Sequence, residues 1–178
     1  MALTAESLGG IDMPINNAGL HLMKYARSFG VITNAETRRL FEVNVIGIVQ
    51  CTLAAKPYMV SRGGGSIVNI ASMAASLANS PYAVFKIEVR GLTVAFATEL
   101  APDRIRVNCI SPGLIATPNV ASEIPEMFDH FINNFQLVKR RGEIKNIVSM
   151  MLNLNGDAAS FITGETMRIT GGDPIIIS

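Results

Sequence analysis

The chain has 178 residues, 49% of them apolar and 16% charged, which excludes a disordered chain and suffices for one domain or a large part of one. A net charge of +1 gives no ground for a nucleic-acid or anionic-membrane partner. The two cysteines, Cys51 and Cys109, sit in apolar stretches without metal-type spacing, so buried reduced thiols in a soluble, cytoplasmic protein are expected rather than a disulfide.

In chain order, the opening Met-Ala-Leu-Thr-Ala-Glu lacks the basic start of a signal peptide, and no apolar run is expected to reach the length of a membrane span. Residues 1–10 read as a helix end stopped by Gly9-Gly10. Residues 11–15 form a short strand pattern, and Pro14, which cannot donate to a ladder, places it at an edge. Asn16-Asn17-Ala18-Gly19 is a turn where backbone amides are open to a ligand. After a loop with His21, Lys24 and Arg27, a helical pattern runs over 34–60, with Asn34 as N-cap and Glu36 in its first turn. Its apolar stripe is Leu40, Val43, Gly47, Ile48, Cys51 and Leu53, and Asn44 interrupts it. A buried amide needs partners, so Asn44 has a structural hydrogen bond or a task.

Glycines 63–65 precede the strand pattern 66–71 instead of following a strand, so they read as a connection rather than a phosphate cradle. Ser80 and Pro81 open a helix as N-cap and first residue, and it stops before Pro102. A strand over 104–110 ends at Ser111-Pro112-Gly113; a mixed segment spans 120–137, a helix 143–154, and a last strand 166–170. His21 and His130 stand alone, without a second ligand at metal spacing. No Gly-x-Gly-x-x-Gly occurs.

Strands separated by long helices imply parallel pairing with right-handed crossovers, an α/β sheet of about four strands with helices on both faces. Ligands of such sheets bind at the carboxyl ends of the strands. Asn17, Ser72 and Pro112-Gly113 all lie at such ends. Tyr82 and Lys86 are four apart, hence on one helical face. A phenol titrates near ~10, and a cation within ~4–6 Å lowers that by roughly 1–3 units. With Ser72 holding a substrate oxygen, the trio forms a proton-transfer site. Taken alone, the pair reads more simply as an ordinary helix contact.

Taken in order, Asn-Asn-Ala-Gly after a strand, Asn44 within a helix, Asn69-Ile-Ala-Ser72, Tyr82-Ala-Val-Phe-Lys86, Arg106-Val-Asn108 and Pro112-Gly-Leu-Ile-Ala-Thr117 resemble the short-chain dehydrogenase/reductase family, classical type. The closing Phe161-Ile-Thr-Gly-Glu-Thr-Met-Arg-Ile-Thr-Gly-Gly172 looks like its last strand and turn, so the resemblance covers 11–172. It implies the second half of a Rossmann-like doubly wound sheet. It also implies hydride transfer between NAD or NADP and an alcohol or carbonyl substrate. On this analogy Tyr82 is the acid/base. Lys86 lowers its pKa and binds the nicotinamide ribose, Ser72 holds the substrate oxygen, and Asn44 anchors a water linking Lys86 to solvent. Asn17, Ala18 and Gly19 would lie beside the cofactor, and Pro112, Gly113, Ile115 and Thr117 would receive its carboxamide. A homo-oligomer through helices 34–60 and 81–101 is implied as well.

Three departures from the family pattern set further expectations. The family's opening strand and glycine-rich turn have no counterpart in this sequence, so the 11–15 strand should be an unpaired edge and the grip on the dinucleotide incomplete. The chain then reads either as the catalytic half of an oxidoreductase or as a silent truncated product that retains only fold and self-association. The ten-residue step from Ser72 to Tyr82 is short, which makes Ser76 and Ser80 alternative oxygen holders. Phe85, in place of a small residue, should crowd the ribose side. Met127, Phe128, Phe131 and Phe135 in the 119–137 segment should either line an apolar substrate pocket or pack against the core.

Overall fold

Four parallel strands lie side by side in chain order: β1 (Ile15–Asn16), β2 (Gly65–Ile70), β3 (Ile105–Pro112) and β4 (Thr166–Ile169). They belong to a computed structural model that describes residues 1–20, 22–118, 120 and 125–173. β2 and β3 pair over six positions, from Gly65 opposite Ile105 to Ile70 opposite Ile110, and β3 pairs with β4 from Cys109 opposite Thr166. The helices are α1 (Ala2–Leu8), α2 (Leu22–Tyr25), α3 (Asn34–Phe41), α4 (Gly47–Ser61), α5 (Pro81–Leu100), α6 (Pro125–Asn134) and α7 (Ile144–Asn155).

Successive residues of a strand point to opposite faces, and both faces here are covered. Ile67 and Val107 meet Ala55, Met59, Phe96, Ala97 and Leu100 of α4 and α5. Val68 and Ile110 meet Leu154 of α7 and Ala159. This double burial explains the unbroken apolar run of β2. Helix α5 starts as expected: the Ser80 hydroxyl accepts from the Ala83 amide at 3.2 Å, and Pro81 fills the first position.

Four expectations need correction. β1 is two residues long rather than five, although Ser66 and Val68 donate to the Asp12 and Pro14 carbonyls at 3.0 and 3.1 Å. Pro14 has no amide to return, so the ladder is one-sided there. β1 is the edge, as Pro14 suggested. The N-cap of α3 is Thr33, one residue before Asn34; its hydroxyl accepts from the Glu36 amide at 3.2 Å while Glu36 accepts from the Thr33 amide at 3.1 Å. This reciprocal pair supersedes a lone Asn cap, because it satisfies two orphan donors.

Cys51 is exposed, against the expectation of burial, while Cys109 is buried. A π-helical turn, Glu42–Ile46, joins α3 and α4. The buried stripe runs Leu40, Asn44, Val45, Ile48, Thr52, Ala55, Met59 at i+3/i+4 spacing, so within α4 it is Thr52 and Ala55 that face inward and Cys51 and Leu53 that turn outward. The continuous helix Asn34–Ser61 is 28 residues and is long and apolar enough, by length and composition alone, to cross a membrane. That corrects the expectation that no such run exists; it is hidden in the sequence by interspersed Asn44, Gln50 and Thr52. In the fold, this helix lays Leu40, Ala55 and Met59 fully into the core.

A buried polar ladder crosses the α4–α5 face. Asn16 Nδ2 donates to Asn69 Oδ1 at 2.8 Å and Thr52 Oγ1 at 3.3 Å; Asn69 Nδ2 donates to Thr93 Oγ1 at 3.0 Å. Thr52, Asn69 and Thr93 are wholly buried. The ladder ties the edge strand to β2, α4 and α5. Asn69→Ala leaves buried donors and acceptors unpaired and is expected to destabilise the fold by about 1–3 kcal/mol. Urea unfolding checks this, and an unchanged midpoint would show that the ladder contributes nothing.

Candidate active site

The strand ends open into a cleft of about 600 Å³. Asn17 and Gly19 enter it from the turn after β1, Ser72 from the end of β2, Tyr82 and Lys86 from α5, and Pro112, Gly113, Ile115 and Thr117 from the loop after β3. All were singled out by sequence. Ala18 is not among the lining residues; it faces the hollow on the outer side of β1, beside Cys51. Asn44 lies behind the wall, 1% exposed. Its Oδ1 accepts from the Leu20 amide at 2.7 Å, and its Nδ2 is buried without a partner among the described residues. Gly19 allows close approach: a Cβ there would come within 3.4 Å of Asn44 Oδ1 and 3.8 Å of Lys86 Nζ. Gly113 is required where its loop crosses the end of β4, since a Cβ would fall 2.8 Å from Thr170 Cα.

Lys86 is almost fully buried and donates from Nζ to the Ile70 carbonyl at 2.7 Å. Burial lowers its pKa to about 8. Tyr82 is buried as well, which raises its phenol above the usual value; the nearby Ser72 hydroxyl acts in the opposite direction. The ammonium stands over the Tyr82 ring, 5.7 Å from its centroid. Sequence spacing assigned a lowering of the phenol pKa to Lys86; in the structure burial outweighs any lowering and the phenol is raised. A cation over the ring face interacts with the π-system.

The short Ser72–Tyr82 connection is absorbed by a 3₁₀ turn, Met73–Ser76, and by Ala78 in the left-handed region at φ 51°. Ser72 Oγ caps that turn, accepting from the Ala74 amide at 3.2 Å. Ser76 is held by Arg90 at 3.1 Å and Ser80 is the cap of α5, so both alternative serines have other partners. Phe85 does not line the cleft: it turns toward Phe41, ring centroids 5.5 Å apart, which corrects the expected crowding. One residue before Lys86 on a helix, it points about 100° away. The aromatic segment also resolves against an apolar pocket. Phe128 is fully buried, Phe131 and Phe135 contact each other at 5.6 Å, and none of the three lines the cleft. The Met127 side chain, like residues 119 and 121–124, lies outside the described residues. The apolar wall comes instead from α7, through Ile144, Ile147, Val148 and Met151. Their helical spacing is visible in the sequence, but nothing there tells which way the helix faces.

A family model described as "Enoyl-(Acyl carrier protein) reductase" matches residues 1–173. The chain is 37% identical over 171 residues to a (2S)-[(R)-hydroxy(phenyl)methyl]succinyl-CoA dehydrogenase subunit of Thauera aromatica, covering 95% of this chain and 67% of that protein. It is 36% identical over 179 residues to human dehydrogenase/reductase SDR family member 4, covering 98% of this chain and 64% of that protein. Among solved structures it resembles a 7α-hydroxysteroid dehydrogenase complexed with NADH and 7-oxo glycochenodeoxycholic acid. The TM-score is 0.88 at 31% identity, over 96% of this chain and 67% of that one. A gluconate 5-dehydrogenase of Burkholderia cenocepacia in complex with NADP and tartrate matches with TM-score 0.88 at 25% identity, over 99% of this chain and 69% of that one. The chain thus spans about two thirds of the length of the proteins it matches.

Burial of Lys86 carries a stability signature. Its pKa is 10.5 when exposed and about 8 when folded, so the folded chain binds fewer protons than the unfolded chain between those values. Below pH ~8 both states are charged and the full cost, about 3 kcal/mol, weighs on the fold; it fades as pH rises toward ~10.5. Lys86→Met is therefore expected to gain melting temperature relative to the parent most at pH 7 and progressively less from pH 8 to 10.5. Thermal melts across that window check it; a pH-independent difference would show that the ammonium is not desolvated.

Proposed function

The chain belongs to the short-chain dehydrogenase/reductase family, and on that premise we propose that it is an NAD(P)-dependent oxidoreductase in which Tyr82 moves the proton of an alcohol or carbonyl substrate. The observation that carries this reading is the convergence of Ser72, Tyr82 and Lys86 on one cleft at the carboxyl ends of parallel strands. Ser72 orients the substrate oxygen and tunes the phenol. Tyr82, held protonated by burial, donates to that oxygen during carbonyl reduction. Lys86, with a pKa of about 8, is suited to hand a proton back to Tyr82 near neutrality. Asn44, its Nδ2 unpartnered behind Lys86 and Gly19, would hold a bridging water on the path to solvent.

The cleft fits the nicotinamide end of the dinucleotide. The orphaned Asn44 amide and Lys86 are polar groups in need of further partners. Lys86 and Tyr82 would hold the ribose, Asn17 and Gly19 would flank it, and Pro112, Gly113, Ile115 and Thr117 would take the carboxamide. Bound there, the cofactor supplies or accepts the hydride. An apolar substrate is favoured by the α7 wall, in keeping with relatives named as hydroxysteroid dehydrogenases. Association with a second copy through α4 and α5 is supported by exposed Leu53, Val60, Ile87 and Val94 on those helices. Exposed Cys51 and buried Cys109, unpaired, suit a reducing compartment such as the cytoplasm.

A second reading is favoured by one observation. The chain spans about two thirds of its relatives and has no glycine-rich turn, so the 178-residue polypeptide would grip the dinucleotide weakly and remain catalytically silent. Calorimetry with NADH and NADPH decides between them, and micromolar affinity for either would reject the silent reading. For the active reading, Tyr82→Phe should lower carbonyl reduction by at least about 10²-fold with dinucleotide affinity intact. Retained turnover would remove Tyr82 from the role.

A further inference from the structure

Tyr82, Lys86 and Arg90 occupy successive turns of α5 on one face. Only the first two line the cleft. Arg90 passes behind Ser72. Its Nη2 donates to Ser111 Oγ at 3.0 Å and Ser76 Oγ at 3.1 Å, and stands 3.5 Å from the Ser72 carbonyl oxygen. Ser111 is fully buried near the end of β3, directly before Pro112-Gly113, and lies opposite Arg168 on β4. The charged and titratable groups facing Arg90 are Arg168, which opposes its charge, and the Cys109 thiol. No carboxylate ion pair with Arg90 is present among the described residues, and its Nε is buried without a partner. Charge pairing therefore does not explain the guanidinium; its contacts all leave the single Nη2, whose two hydrogens serve the two serine hydroxyls.

The three oxygens it reaches belong to two parts of the site. Ser72 and Ser76 start and end the 3₁₀ turn that joins β2 to α5; Ser111 belongs to β3. We infer that Arg90 is a positioning residue: it clamps the Ser72 turn onto the end of β3 and so fixes where the Ser72 hydroxyl enters the cleft that Tyr82 also lines. This rests on the reading of Ser72 and Tyr82 as the proton-transfer pair. Arg90 itself touches no substrate position in the cleft.

The test reads the phenol directly and needs no turnover. Tyr82 is one of three tyrosines, and its ionisation is the component of the ultraviolet pH titration that Tyr82→Phe removes. Its facing groups are Ser72 and Lys86, both left in place by changes at Arg90. Loss of the Ser72 hydroxyl should raise the phenol pKa in Ser72→Ala. Arg90→Met should raise it in the same direction, and the Arg90→Met/Ser72→Ala double variant should move no further than Ser72→Ala alone, because both act through the Ser72 hydroxyl. Arg90→Lys, whose ammonium ends one bond short of Nη2, should also shift it upward. A folded Arg90→Met with an unshifted phenol, beside a shifted Ser72→Ala, would overturn the positioning role. So would additive shifts in the double variant. An unshifted Ser72→Ala would instead overturn the Ser72–Tyr82 pair itself, and the inference with it. If Arg90→Met fails to fold, Ser76→Ala and Ser111→Ala remove its two nearest acceptors singly; each should give a smaller upward shift, and no shift in either would again overturn the role.

Discussion

The bond from Lys86 Nζ to the Ile70 carbonyl fixes the site. β1 pairs with β2 only as far as Asn16 opposite Asn69, and the carbonyl one residue further along β2 is the one the ammonium takes. A lysine buried to 6% exposure needs such an acceptor, because an uncompensated ammonium in the core costs several kcal/mol. The bond sets the height of α5 along β2, and with it where Tyr82 stands, one turn earlier. Moving α5 by one turn, ~5.4 Å, would carry the phenol away from Ser72 altogether. The position of the Tyr82 phenol is therefore a consequence of where a charge can be buried.

Two amides extend this logic to the edge of the sheet. Asn69 holds Asn16 from the side and Thr93 of α5 from the other, so β1, although two residues long, is pinned through side chains rather than through a long ladder. Asn44 holds the Leu20 amide and thereby the turn that carries Asn17 and Gly19 into the cleft. Asn44, Ile48 and Thr52 recur every four residues, so one face of the helix both reaches Leu20 and meets the sheet. Polar groups at three depths thus locate three loops over one crevice.

What the sequence made legible follows from period and end chemistry. The apolar runs of β2 and β3 are readable because both faces are covered, and the α5 start is readable because a serine cap and a following proline are local signals. The expected residues of the cleft were found for the same reason: they lie at strand ends, which topology places together. The misses are of another kind. The face of α4 falls on Thr52 and Ala55 rather than on Cys51 because a threonine and an alanine carry a weaker apolar signal than a cysteine and a leucine. The Thr33 cap was missed for Asn34 because the reciprocal bond with Glu36 depends on spacing by three from the true cap. Phe85 was misassigned, the α7 wall missed and Phe128 left between pocket and core, because a side chain's hydrophobicity does not reveal which cavity it faces.

The electrostatics of the cleft were the least legible part, and they bear most on direction. Spacing placed a cation near a phenol and suggested a phenolate. Burial instead favours the neutral form of both: it raises Tyr82 and brings Lys86 down to about 8. The two groups converge on a state in which the phenol keeps its proton and the amine parts with one comparatively easily. Within the proposed function, that state is ready for carbonyl reduction, since Tyr82 begins as a donor and the phenolate it would become has Lys86 within one turn as a source of replacement. Oxidation of an alcohol would need the reverse, a phenolate in a desolvated wall, which the Lys86 ammonium and the Ser72 hydroxyl would both favour. Burial and these two neighbours thus act on the phenol in opposite directions, and their balance sets which proton transfer the cleft would support.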